Sequence, residues 1–121
     1  MMDSVRKIVF FESYFLDFYS SVDNKVQEKI DFVLEVLVTQ KFVPHTYVKF
    51  IEDSEGIYEI RVSVRNNEYR ILFFFESSSL IEGGNVIILG NGFIKKDKKD
   101  YRKAIKKAEK IRIEYLEKNK I

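Results

Sequence analysis

Residues 58–75 constrain the fold more than any other stretch. Tyr58, Ile60, Val62 and Val64 alternate with Glu59, Arg61 and Ser63, and Tyr69, Ile71, Phe73 and Phe75 alternate with Arg70, Leu72 and Phe74. A period of two is that of a strand with one buried face. The polar stretch Arg65–Glu68 between the two runs reads as a four-residue loop, so residues 58–64 and 69–75 form an antiparallel hairpin. With that loop, Val64 faces Tyr69 and Ser63 faces Arg70, which places both apolar rows on one face as burial demands. The same register sets Arg61 and Arg70 diagonally across the pair on the opposite face, within reach of one ligand.

An apolar sheet face needs an apolar helix to cover it. Val26, Ile30, Val33, Leu34, Leu37 and Val38 recur at helical spacing behind Asp23, a good N-cap, which predicts an amphipathic helix over 24–39. The face carrying Tyr58, Ile60, Val62, Ile71 and Phe73 is expected to bury against it. Lys7–Phe11 reads as a first strand, Ser13–Tyr19 as one or two helical turns and Lys41–His45 as a loop, because Pro44 ends any helix. Tyr47–Ile51 reads as a short strand and Ser77–Asn85 as a loop. Val86–Leu89 is a further strand, after which Gly90–Gly92 turns the chain. Asp100 is expected to cap a last helix over 101–118, with Ile105, Ala108, Ile111, Arg112 and Tyr115 in one stripe. This order predicts a single α+β domain over residues 1–121, an antiparallel sheet with two N-terminal helices and one C-terminal helix.

Composition narrows the function classes. Cysteine is absent and there is one histidine, so a thiolate metal site or zinc cluster is not expected, nor is any cofactor. No apolar run approaches the roughly 20 residues of a membrane span, and MMDSVRKIVFFE has no signal-peptide core. A cytoplasmic protein without membrane contact is expected. The net charge of +2 conceals an asymmetry. Residues 1–90 hold 9 Lys or Arg against 14 Asp or Glu, and residues 91–121 hold 12 against 5. A basic C-terminal region of this kind suits a polyanion or an acidic protein partner, or else a solvated helix face.

Two features could carry chemistry. Arg61 and Arg70 together offer a fork of donors suited to phosphate and to charge building on it, with surface ion pairs to Glu59 or Glu68 as the competing use. The stretch GNGFIKKDKK at 90–99 can bring Lys95 and Lys96 beside them, although the GxxxxGK[ST] pattern of a phosphate loop is absent. His45, in a loop after Pro44, has no Ser, Cys or second His to partner it.

FYSSVDNKVQEKIDFVL at 18–34, YVKFIEDSEGIYEIRV at 47–62, EYRILFFFE at 68–76, and ILGNGFIKKDKK through AIKKAEKIRIEYLE at 88–117 together resemble the RelE/HigB superfamily of toxin–antitoxin toxins, in particular its phage-derived HigB-like subgroup. The resemblance implies a microbial-RNase-like fold with a twisted antiparallel sheet. It also implies a ribosome-dependent endoribonuclease that cuts mRNA and is neutralised by a cognate helix-turn-helix antitoxin of the HigA type. Arg61 and Arg70 fall on strand positions where relatives keep basic catalytic residues, and Lys95 falls near the basic site after the last strand. Glu59 stands where some relatives have Lys, and Tyr101 where the subgroup often has Pro.

The expected reaction is metal-independent attack of a ribose 2′-hydroxyl on the adjacent phosphate. Arg61 and Arg70 would neutralise the phosphorane, and Lys95 would hold the backbone or assist the leaving oxygen. Glu59 is a candidate general base, with an ion pair to Arg61 as its alternative use. Lys96, Lys98, Lys99 and Lys103 would supply sequence-independent phosphate contacts. Two other classes stay open: a ParE-like toxin that inhibits gyrase by protein contact, and a non-catalytic phage accessory protein that binds RNA or an antitoxin.

Overall fold

The computed structural model describes residues 4–76 and 85–119; the expected loop at 77–85 lies, but for Asn85, outside them. Eight elements follow in order: β1 (Lys7–Phe10), α1 (Tyr14–Ser21), α2 (Asn24–Thr39), β2 (Val48–Phe50), β3 (Tyr58–Val64), β4 (Asn67–Phe75), β5 (Val86–Ile94) and α3 (Lys98–Lys118). The strands form one sheet in the order β1-β5-β4-β3-β2. The β3–β4, β4–β5 and β2–β3 pairs are antiparallel, whereas β1 runs parallel to β5. The sheet is therefore mixed, not antiparallel throughout. Side-chain alternation reports which face is buried but carries no sign of strand direction, so a strand paired far along the chain could not be oriented from it.

α2 begins where the sequence places it, because the Asp23 carboxylate accepts from Val26 N at 3.1 Å and satisfies one of the first-turn donors. Its residues Val26, Ile30, Val33 and Leu37 are buried with Phe15 of α1 against Ile60, Val62, Tyr69, Ile71 and Phe73. The expected apolar hairpin face is thus the one that α2 covers.

The other face is not left to solvent. Ala104, Ala108, Ile111 and Tyr115 of α3 bury against Leu72 and Phe74 of β4 and Ile88 of β5. The helix starts at Lys98, three residues before the expected start, because the cap is Asp97, whose carboxylate accepts from Asp100 N at 2.8 Å. Of the expected stripe, Ala108, Ile111 and Tyr115 are buried, with Ala104 in place of Ile105 and Arg112.

Two corrections concern the hairpin and β5. The connection is a two-residue turn, Arg65–Asn66, with φ of 49° and 66°. Left-handed geometry at both positions matches the right-handed twist of the flanking strands. Asn tolerates it well, and the Arg65 guanidinium is tied to the Asp23 carboxylate. The register consequently moves by two residues: Val64 pairs with Asn67 and Ser63 with Glu68. An even shift leaves every side chain on its expected face.

β5 runs straight through the expected turn at Gly90–Gly92, with an irregularity opposite Leu72. A Cβ at Gly92 would lie 2.3 Å from the Phe18 ring of α1, and one at Gly90 would lie 3.1 Å from Leu72 O. These glycines permit close packing of a strand. Gly92→Ala is therefore expected to cost about 1–3 kcal/mol through overpacking, measured as the loss of unfolding free energy in urea.

Candidate functional site

Arg61 and Arg70 lie directly opposite each other across β3 and β4, not diagonally, because of the shorter turn. Like charges so placed repel, and the sequence supplies the remedy two residues back along β3. The Glu59 Oε2 lies 3.2 Å from Arg61 Nε and 3.5 Å from Arg70 Nε. Its other carboxylate oxygen accepts from the Tyr101 hydroxyl of α3. Burial, and then this hydrogen bond to Glu59, raise the Tyr101 hydroxyl pKa well above its ordinary value.

α3 covers this face, so the two arginines are not equivalent. Arg70 is 2% exposed and Glu59 3%, whereas the Arg61 side chain is 34% exposed. Arg61 Nη1 donates to His45 O at 3.4 Å. Arg70 Nη1 donates to Tyr69 O at 3.0 Å and to Glu68 Oε1 at 3.3 Å. Glu68 also accepts from the Ser63 hydroxyl directly across the hairpin. The Ser63 hydrogen bond, followed by the Arg70 and Arg61 guanidinium groups, holds the Glu68 carboxyl below the usual carboxylate range against its partial burial.

Lys95 continues the ladder beyond β5, its backbone N–H donating to Glu68 O at 2.8 Å. Its ammonium is exposed and sits 5.1 Å from the centroid of the Tyr101 ring, within cation–π range. Lys96, Lys98, Lys99 and Lys103 are all exposed around the start of α3. Lys103 lines a separate groove of about 300 Å³ between α3 and the end of β5, with Asn91, Phe93 and Lys107. The structure thus brings Arg61, Arg70, Glu59 and Lys95 onto one face of the sheet and leaves Lys103 beside that groove.

The Glu59 carboxylate is buried and shared among Arg61, Arg70 and Tyr101, so in the structure it serves the ion-pair use that the sequence set beside the general-base role. The geometry corrects the picture of an open arginine fork. Arg61 is partly exposed, and Arg70 beside it is buried and paired with Glu68. Among the described residues there is no group of three or more His, Cys, Asp and Glu that could hold a metal ion.

Two members of the cluster were missed in the sequence, Tyr101 and Ser63, whereas Glu68 stood there as a competing ion-pair partner of the arginines. Tyr101 was legible, since 101, 104, 108, 111 and 115 follow the three-and-four spacing of a helix face. The Ser63–Glu68 pairing was not, because the four-residue loop placed Glu68 in the turn.

A family model described as phage-derived protein Gp49-like (DUF891) matches residues 17–112, from within α1 into α3, a span that includes Glu59, Arg61, Ser63, Glu68, Arg70, Lys95 and Tyr101. No curated protein and no solved structure matches the sequence. With the family model covering most of its length, the chain belongs to the phage-derived Gp49-like protein family.

Proposed function

We propose that this protein is the toxin of a toxin–antitoxin pair and an endoribonuclease that cleaves mRNA on the ribosome. The observation that carries the reading is the pairing of an outward Arg61 with a buried Arg70, flanked by exposed Lys95, on one sheet face. Membership of a phage-derived family and the resemblance to RelE/HigB toxins support it. The cognate partner would be a helix-turn-helix antitoxin.

In the mechanism, the ribose 2′-hydroxyl gives up its proton to solvent as its oxygen attacks the adjacent phosphorus, and the bond to the 5′-oxygen breaks. This leaves a 2′,3′-cyclic phosphate and a 5′-hydroxyl. Arg61 contacts the phosphate as its charge rises, where a preorganised donor is most effective. Glu59 holds Arg61 in place through its ion pair, and Arg70 adds positive charge beside it. Lys95 stabilises or protonates the departing 5′-oxygen. The exposed lysines of α3 add contacts to flanking phosphates that do not depend on sequence.

Product chemistry tests the proposal. Purified protein added to ribosomes that present an mRNA codon in a vacant A site should cut the message, leaving a 2′,3′-cyclic phosphate upstream and a 5′-hydroxyl downstream. Fragments with 5′-phosphate ends, or an uncut message, would sink this mechanism.

A further inference from the structure

The candidate site is electrically balanced at rest. Two guanidinium groups, Arg61 and Arg70, meet two carboxylates, Glu59 and Glu68. A neutral cluster attracts an anion poorly, and Arg70, at 2% exposure, is out of reach. Its two carboxylates differ in one respect. Glu59 is buried under Tyr101, whereas the Glu68 side chain is 43% exposed and, among the described residues, held by Arg70 Nη1 at 3.3 Å and by the Ser63 hydroxyl. Glu68 can therefore swing into water, while Glu59 cannot leave without breaking the buried network.

We infer that Glu68 is an internal stand-in for a substrate phosphate, and that an oxyanion enters the site by exchanging with its carboxylate on Arg70. A carboxylate and a phosphodiester both present paired oxygens to a guanidinium donor. Once Glu68 has turned away, Arg61, Arg70 and Glu59 leave one net positive charge, and Lys95 adds a second beside it. The Ser63 hydroxyl sets the strength of the latch, because it holds the Glu68 oxygen that Arg70 does not. A site that opens only to an anion able to outcompete its own carboxylate discriminates against neutral ligands and weak single charges.

The inference rests on reading this face as a phosphodiester site, but its test does not require RNA cleavage. Inorganic phosphate is titrated into the whole protein while the backbone amide resonances of Tyr69, Arg70 and Lys95 are followed by NMR. The wild type is compared with Glu68→Gln, Glu68→Ala and Ser63→Ala, each confirmed as folded by its amide spectrum. Removing the competing carboxylate should tighten phosphate binding by about three- to tenfold, the range expected of a partly exposed ion pair plus lost repulsion. Ser63→Ala should tighten it by a smaller factor. Unchanged or weaker binding in folded Glu68→Ala overturns the inference. If phosphate binding tightens but the wild type leaves A-site mRNA intact, the exchange stands and the ribonuclease reading fails. If the wild type cuts mRNA but phosphate binding does not tighten, the exchange alone fails.

Discussion

Glu59→Ala is expected to destabilise the protein by about 3–5 kcal/mol, the scale for breaking a buried ion pair from one side. Glu59 and Arg70 are 3% and 2% exposed, and among the described residues Arg70 Nε has no hydrogen-bond partner, only the Glu59 carboxylate 3.5 Å away. Deleting that carboxylate leaves a guanidinium under α3 with its charge met only by half-exposed Glu68, and it orphans the Tyr101 hydroxyl. The cost is desolvation that nothing compensates. Glu59→Gln keeps the volume and an acceptor for Tyr101, so it should lose less. The informative control is Glu59→Leu combined with Arg70→Met. Replacing both partners by apolar groups of similar size should recover much of the lost stability, because a buried pair is expensive to halve and cheap to replace whole. Urea unfolding with the midpoint and slope of each variant measures all of these. A loss below about 1 kcal/mol in Glu59→Ala would show that the carboxylate is not the anchor of the arginines.

This buried network also marks where the sequence stopped being readable. α2, its Asp23 cap and the apolar hairpin face were legible, because local spacing and capping chemistry determine them and the tertiary structure agrees. Arg61 and Arg70 on one face were legible for the same reason, since strand parity survives a register shift of two. Their burial was not. Sequence alternation marked their face as the polar one, and only the seating of Ala104, Ala108 and Ile111 on Leu72, Phe74 and Ile88 shows that α3 covers it. The role of Glu59 was half visible, as a competing use for a candidate base. Choosing between base and anchor needed the Tyr101 hydroxyl, 42 residues away in the chain. Glycines 90 and 92 misled for a related reason: a turn and a tight strand-to-helix contact both call for a missing Cβ, and local sequence does not separate them.

The second large effect is on catalysis and distinguishes the two arginines. Arg61→Ala should lower the single-turnover rate of A-site mRNA cleavage on purified ribosomes by about 10²–10³, as for loss of one preorganised donor to a developing oxyanion. Its effect on folding should be small. The Arg61 side chain is 34% exposed, and a partly exposed ion pair contributes about 1 kcal/mol or less. Arg61→Lys should restore little, since an ammonium lacks the planar fork that reaches the phosphate while still meeting Glu59. Arg70→Ala should behave differently, losing rate and stability together, because the same side chain receives the entering oxyanion and neutralises buried Glu59. Measuring both quantities for each variant separates a group that acts on the substrate alone from one that also holds the fold. If Arg61→Ala cuts at close to the wild-type rate while Arg70→Ala only destabilises, the arginine pair is a structural ion-pair cluster and the phosphoryl-transfer reading is wrong.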